Sequence, residues 1–341
     1  FVVPDGPKVF FVYQKSEKTK YWEEAKPYIT KYYQIMNNTF GRYVYPNYSF
    51  VQGGDGGMEY GMCTMILGES KSLEGLLGLM IHEGSHSWFQ QMLATNESTK
   101  PWLDEGFTSY AESYVMYQLF PKTNEANPFI NSLKGYAYFA KSGREEPASW
   151  LSDHHDNGTA YSVASYTKGE LFLVELGYIM GEETLSKVMK KYYQDWHLKH
   201  PSDRDFMHIA QQISGMDLKW FYHYWINTTK TIDYAIKDVK YGDTYTTITL
   251  VNNSDVPMPI DFNVLTKDKK TINYHIPLNM MRSPKKSDFY GNFQTLDYWN
   301  WTSKEYTFSI PYKKDELKVL GIDFSQRLAD VNPENNTLEV K

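Results

Sequence analysis

Leu73-Glu74-Gly75-Leu76-Leu77-Gly78-Leu79-Met80-Ile81-His82-Glu83-Gly84-Ser85-His86-Ser87-Trp88 carries apolar residues at helical spacing and two histidines four positions apart. At about 100° per residue, positions i and i+4 differ by roughly 40° around a helix, so the His82 and His86 imidazoles leave one face and can meet on one ion. Leu73, Leu77, Met80, Gly84 and Trp88 fall on the opposite face, which predicts a helix buried along its back. Gly75 and Gly78 lie near the histidine side, where the missing side chains leave room for something to approach. Glu83 neighbours a ligand histidine but points past the ion, where a carboxylate can take a proton from water.

Outward from this helix the pattern is mixed. Lys8 to Tyr13 reads as a buried strand, and 18–40 as a helix with Trp22, Ala25, Tyr28, Ile29 and Tyr32 on one side. Residues 43–67 read as extended, broken by Gly53-Gly54-Asp55-Gly56-Gly57, with an edge strand from Met58 to Leu67. Helical periodicity then covers roughly 71–94, 105–119, 128–141, 160–180, 182–195, 203–213 and 217–226. After Asn227-Thr228-Thr229 it yields to strand-type alternation between turn residues. The expectation is an α+β domain over 1–230 followed by a small antiparallel β-sandwich over 231–341.

Composition narrows the functional classes. Lys+Arg number 35 against Asp+Glu 41, a net charge of −6, which argues against binding nucleic acid through its phosphates. Cys63 is the one cysteine of the 341 residues, so no internal disulfide and no cysteine-based zinc site can form. No apolar run approaches the ~18–20 residues of a membrane span. The chain begins at Phe1 without a signal-type segment, which reads as a mature or trimmed form.

A catalytic zinc usually takes three protein ligands and leaves a fourth position open. The positions that would carry Gly and a third His in one common pattern hold Phe89 and Met92. Instead Trp102-Leu103-Asp104-Glu105-Gly106-Phe107 opens a second helix, with Glu105 following His86 after 18 intervening residues. Two histidines and one glutamate make the hydrolytic set of thermolysin-like enzymes. Glu112 follows Glu105 by seven residues, two turns along the same face, from where it could orient a ligand histidine. Asp153-His154-His155-Asp156 reads as a solvated turn, and His197 and His200 as helix-end histidines beside Pro201.

Together these strings resemble peptidase family M1, the zinc aminopeptidases of the gluzincin group. Besides the His-Glu-x-x-His and its distant Glu105, the family's Gly-x-Met-Glu-Asn is represented by Gly56-Gly57-Met58-Glu59-Tyr60, with Tyr60 in place of Asn. Asp104 stands where the family usually has Asn. Tyr166-Thr167-Lys168-Gly169 resembles its Tyr-x-Lys-Gly, with Tyr161 five residues earlier. The resemblance implies a thermolysin-like catalytic domain, a mixed sheet edge plus a helical bundle, over 1–230 and a β domain over 231–341. It implies one Zn2+ on His82, His86 and Glu105, Glu83 as general base, Tyr166 as donor to the oxyanion, and a peptide substrate held along Gly56, Gly57, Met58 and Glu59. Glu59 would meet the free α-ammonium, and Asp55, near the first side-chain pocket, would favour Lys or Arg. The family's N-terminal β domain and C-terminal helical domain are not visible in this chain. The short terminal domain resembles exported bacterial forms, with a cytoplasmic protein as the alternative. Two rival functions remain: a peptide-binding member without turnover, and a zinc hydrolase of the same fold acting on blocked substrates. The intact set of His82, Glu83, His86, Glu105 and Tyr166 favours an enzyme.

Overall fold

Short extended stretches near the start and a long run of helices make up residues 1–227. The computed structural model describes residues 1–54, 56–121, 127–287 and 291–341. In chain order the elements are β1 (Lys8–Val12), α1 (Tyr21–Thr39), β2 (Asn47–Gln52), β3 (Gly57–Tyr60), β4 (Cys63–Ile66), α2 (Leu73–His86), α3 (Phe107–Leu119) and α4 (Ile130–Ala140). They continue through α5 (Gly158–Ser162), α6 (Lys168–Met180), α7 (Glu182–Trp196), α8 (Asp203–Ser214) and α9 (Lys219–Asn227). The strand region follows: β5 (Tyr234–Tyr241), β6 (Thr246–Asn252), β7 (Ile260–Thr266), β8 (Thr271–Ile276), β9 (Gln294–Thr295), β10 (Glu305–Ile310), β11 (Leu317–Ile322) and β12 (Thr337–Glu339). This is the α+β order expected, with a strand-rich region after the helical one.

The chain packs as two compact units, one of 1–129, 150–170 and 186–209, the other of 130–149, 171–185 and 210–341. The switch from helix to strand falls near residue 230 as the pattern suggested, but compactness groups α4, most of α6 and α9 with the strands.

In the first unit the sheet order is β1-β2-β4-β3, with β1, β2 and β4 parallel and β3 antiparallel at the edge. Two expectations change here. Lys8 to Tyr13 is not a fully buried strand: among the described residues β1 ends the sheet, pairing along its length with β2 and through a single bridge at Lys8 with Val2, and it leaves Phe10 and Val12 exposed. Met58 to Leu67 is not one strand either. The chain turns at Gly61-Met62, Met62 adopts φ +58°, and β3 and β4 form a hairpin, so the edge on this side of the sheet is Gly57–Tyr60. Helix α1 covers one side of the sheet, with Trp22 packed edge-on to Phe11 and its indole N–H donating to Gly68 O at 2.8 Å.

Helix α2 begins where Ser72 Oγ accepts the Gly75 N–H at 3.1 Å, satisfying one of the amides a helix start leaves open. Its back is buried as the periodicity required: Leu77, Met80 and Gly84 are inaccessible. A Cβ on Gly84 would come within 3.0 Å of Tyr32 Oη, so glycine lets α1 and α2 cross closely there. The helix then widens into a π-type turn over Ser87–Met92, and two more π-type turns cover Trp102–Gly106 and Val163–Thr167. Such turns insert an extra residue into the helical ladder and cluster at functional sites.

In the second unit a three-stranded sheet (β10-β6-β5) faces a five-stranded one (β12-β11-β7-β8-β9), with Phe308 of the first packed on Phe262 and Tyr274 of the second. Every strand pair is antiparallel except β8 with β9. Strand β6 alternates buried and half-buried residues along its length, the signature of a sheet with one face in a core.

Candidate metal centre

His82 and His86 leave one face of α2, as their spacing dictates, and Glu105 reaches them from the π-type turn at Trp102–Gly106. Glu105 Oε2 lies 3.3 Å from His82 Nε2 and 3.4 Å from His86 Nε2. One donor atom from each of the three residues falls within 4.8 Å of the others. His86 is fully buried and its Nε2 makes no hydrogen bond. An imidazole nitrogen aimed inward with nothing to bond is what a metal ligand looks like before its metal.

Each imidazole is held from behind. His82 Nδ1 lies 3.0 Å from Glu112 Oε2, and His86 Nδ1 lies 2.6 Å from Asp104 Oδ1. A carboxylate on Nδ1 keeps the proton there and leaves the Nε2 lone pair for an ion. Two imidazoles and a carboxylate, with a fourth side open to a cavity, fit zinc in its catalytic form.

Glu83, Tyr166, Glu59, Gly57 and Met58 line the same cavity of about 310 Å³. Glu83 lines it, is buried, and leaves Oε2 without a hydrogen bond. Burial pushes its carboxyl up to about 7, against the pull of His82 and His86. Glu105 goes the other way. Burial raises it, but the neighbouring imidazoles of His82 and His86 and the Tyr166 hydroxyl outweigh that and bring it down to about 2. One environment therefore separates two carboxyls, one with a weakened hold on its charge and one firmly ionised. Tyr166 donates its hydroxyl to Glu105 Oε1 at 2.7 Å and its ring lies parallel to His82. Glycine makes that reach possible: a Cβ on Gly169 would come 2.7 Å from Gly106 Cα and 2.8 Å from Trp102 O, so the turns bearing Glu105 and Tyr166 meet backbone to backbone.

Glu59, on edge strand β3, lines the cavity with Oε1 4.0 Å from His86 Nδ1, and burial raises its carboxyl. Gly57 and Met58 line the cavity beside it, whereas Gly56 and Tyr60 are not among its lining residues. A Cβ on Gly57 would overlap Glu83 Oε1, so the glycine there makes room for that carboxylate. Asp55 lies outside the described residues. Tyr161 lines the cavity and packs edge-on against Tyr166. His154 is exposed, His197 Nδ1 faces Tyr193 O, and His200 Nδ1 faces Ala94 O, and none of the three lines the cavity. Sequence reasoning missed the Asp104–His86 pair and the lining residues Glu97, Ser98, Pro101 and Ser152. For Asp104 a signal was present, since it immediately precedes Glu105 on a segment already placed at the site.

A helix-borne His-Glu-x-x-His closed by a downstream glutamate, beside a sheet edge, defines the thermolysin-like class of zinc peptidases. A profile described as the Peptidase family M1 domain matches residues 27–225, more than half of the chain. Aminopeptidase B of Rattus norvegicus is 27% identical over 246 residues, covering 65% of this chain and 37% of that protein. Aminopeptidase M1-A of Oryza sativa subsp. japonica is 26% identical over 167 residues, covering 48% of this chain and 19% of that protein. Among solved structures, Legionella pneumophila aminopeptidase A in complex with aspartic acid superposes with a TM-score of 0.65 at 14% identity, over 94% of this chain and 36% of that one. An M1 zinc metallopeptidase from Deinococcus radiodurans superposes with a TM-score of 0.54 at 16% identity, over 66% of this chain and 49% of that one. The chain belongs to peptidase family M1. It spans well under half the length of the curated relatives it matches.

Proposed function

We propose that this chain provides the catalytic centre of a zinc-dependent aminopeptidase, which removes residues from the free N-termini of peptides. The observation that carries this is convergence: His82, His86 and Glu105 donor atoms within 4.8 Å of one another, on a cavity that Glu83, Tyr166 and Glu59 also line. Zinc, when bound, supplies Lewis acidity that polarises the scissile carbonyl and acidifies a water. His82, His86 and Glu105 hold it, with Glu112 and Asp104 fixing the two imidazoles. Glu83 accepts a proton from the attacking water at its unpaired Oε2 and hands it to the leaving amine, a transfer suited to a carboxyl whose burial weakens its hold on charge. Tyr166 turns its hydroxyl from Glu105 toward the oxygen that gains charge as the carbonyl is attacked. Glu59 accepts the α-ammonium, which places the first peptide bond beside the centre and makes the enzyme an exopeptidase. The substrate lies along the free edge of β3 as an added strand.

The test is metal content with activity. Purified protein should carry about one zinc per chain by elemental analysis. A chelator should abolish hydrolysis of aminoacyl chromogenic substrates, and added zinc should restore it. Undiminished hydrolysis by zinc-free protein would overturn the proposal.

A further inference from the structure

The two ligand histidines are backed unequally. Glu112, on His82, has a side chain 34% exposed, whereas the Asp104 side chain on His86 is 2% exposed and its Oδ1 lies 2.6 Å from Nδ1. Thr108 Oγ1 is the other group near that nitrogen, at 3.4 Å, and Glu59 Oε1 follows at 4.0 Å. A carboxylate is a costly choice in such a place. An asparagine at 104 could accept the same N–H through its amide oxygen without burying a charge next to Glu59 and Glu105. What the carboxylate adds is a full negative charge on the far side of the imidazole. In a buried setting that charge is poorly screened and strengthens the donation of the opposite nitrogen.

We propose that Asp104 is a positioning residue for the metal centre, whose charge, and not merely its hydrogen bond, makes His86 the tighter-held of the two imidazole ligands. The inference rests on the zinc site proposed above. Asp104 touches neither substrate nor ion; it acts through His86, whose Nδ1 proton it fixes in place and whose Nε2 it aims at the space between His82 and Glu105.

The experiment measures zinc affinity by chelator competition on wild type, Asp104→Asn, Glu112→Gln and Thr108→Val, together with the visible spectrum of the cobalt-substituted forms. Asp104→Asn preserves the acceptor and removes the charge, so it should weaken zinc about 10- to 100-fold and shift the cobalt bands. Glu112→Gln, at a solvent-screened position, should weaken zinc only a few-fold. Thr108→Val disturbs the same pocket without changing charge and should bind zinc as the wild type does. Zinc affinity of Asp104→Asn within twofold of wild type, with unchanged cobalt bands, would overturn the proposal. So would equal weakening in Thr108→Val, which would trace the effect to packing around His86. Wild-type protein that binds no zinc would instead overturn the parent reading, so the two failures are distinguishable.

Discussion

Both units bury carboxylates, and they treat them differently. In the second unit Asp261 is matched inside the chain: Lys285 Nζ donates to Oδ2, His275 Nδ1 lies 2.8 Å from Oδ1, and the backbone N–H of Asp261 donates to Tyr178 Oη at 2.8 Å. Asp323 in the same unit accepts the amides of Arg327 and Leu328 and the Ser325 hydroxyl. The cavity of the first unit instead gathers Glu59, Glu83, Glu97, Asp104 and Glu105, and among its described lining residues there is no lysine or arginine. Desolvating a carboxylate is costly in either place. The closed cluster offsets that cost with cations and amides from its own sequence, and the open one leaves Glu83 Oε2 and His86 Nε2 unbonded. An unbonded atom alone does not mark a site, since His275 Nε2 and Glu175 Oε2 in the second unit are unbonded too; what marks the first is that its carboxylates gather around such atoms without a lysine or arginine among the described lining residues. This contrast separates a site from a structural ion pair without appeal to family.

If the contrast holds, substitutions in the open cluster should cost chemistry and substitutions in the closed one should cost stability. The largest effect falls on Glu83. Glu83→Gln should lower kcat by about 10²–10⁴-fold while leaving zinc content and melting temperature unchanged, because Glu83 is not a ligand and its burial already disfavours its charge. Kinetics on a chromogenic substrate beside elemental analysis decides it. Parallel loss of zinc and turnover would put Glu83 among the ligands and break the division of roles.

Lys285→Met tests the closed cluster. Removing one partner of a buried ion pair leaves the other charge stranded, at a cost of about 3–5 kcal/mol of unfolding free energy. Burial raises the Asp261 carboxyl, but Lys285 and His275 outweigh it and hold it below the ordinary carboxylate range. A depressed folded-state pKa contributes stability above the unfolded value, and that contribution disappears as pH falls through the folded one. The deficit of Lys285→Met should therefore be largest near neutral pH and shrink in acid, while activity per folded molecule stays at the wild-type level. Denaturant melts near pH 7 and pH 3 measure this; an equal deficit at both would mean that packing, not charge, is what Lys285 supplies.

Glu59→Ala comes next in size. It should depress kcat/KM on free-amine peptides by about 10²-fold, since an ammonium in the cavity would lose its charged partner, a loss of roughly 2–5 kcal/mol at most. N-acetylated peptides should be refused by both forms. Wild-type cleavage of acetylated and free peptides at equal rates would show that Glu59 anchors no amine.

The sequence disclosed these parts unevenly, for physical reasons. Ligand spacing on a helix is a local property, so His82, His86 and the buried back of α2 followed from periodicity alone. Glu112 was reachable by counting two turns from Glu105. The pairing of Asp104 with His86 depends on a π-type turn, which departs from the 3.6-residue period and so defeats a helical wheel. The hairpin at Gly61-Met62 was hidden because Met62 takes a positive φ, for which methionine gives no warning. Glu97 and Ser98 line the cavity from a loop between two helices, where no periodicity reports direction.

The smallest expected effect sharpens the contrast most, because it leaves every charge in place. A Cβ added at Gly57 would overlap Glu83 Oε1 and lie 2.9 Å from Leu79 Cδ1. Gly57 is not in the left-handed region, so alanine suits its backbone, and the group that must yield is the end of a flexible side chain. Gly57→Ala should thus fold and bind zinc normally while displacing the Glu83 carboxylate. Misplacing a catalytic group by about 1 Å can cost up to 10²-fold; with partial relaxation of Glu83, a loss nearer 10-fold in kcat is expected. The decisive comparison is a double-mutant cycle. If Gly57→Ala acts through Glu83, it should cost nothing further once Glu83→Gln has removed the base, and the two effects will be far from additive. Full additivity would mean that Gly57 serves the substrate strand directly, and that the room it leaves beside Glu83 is incidental to catalysis.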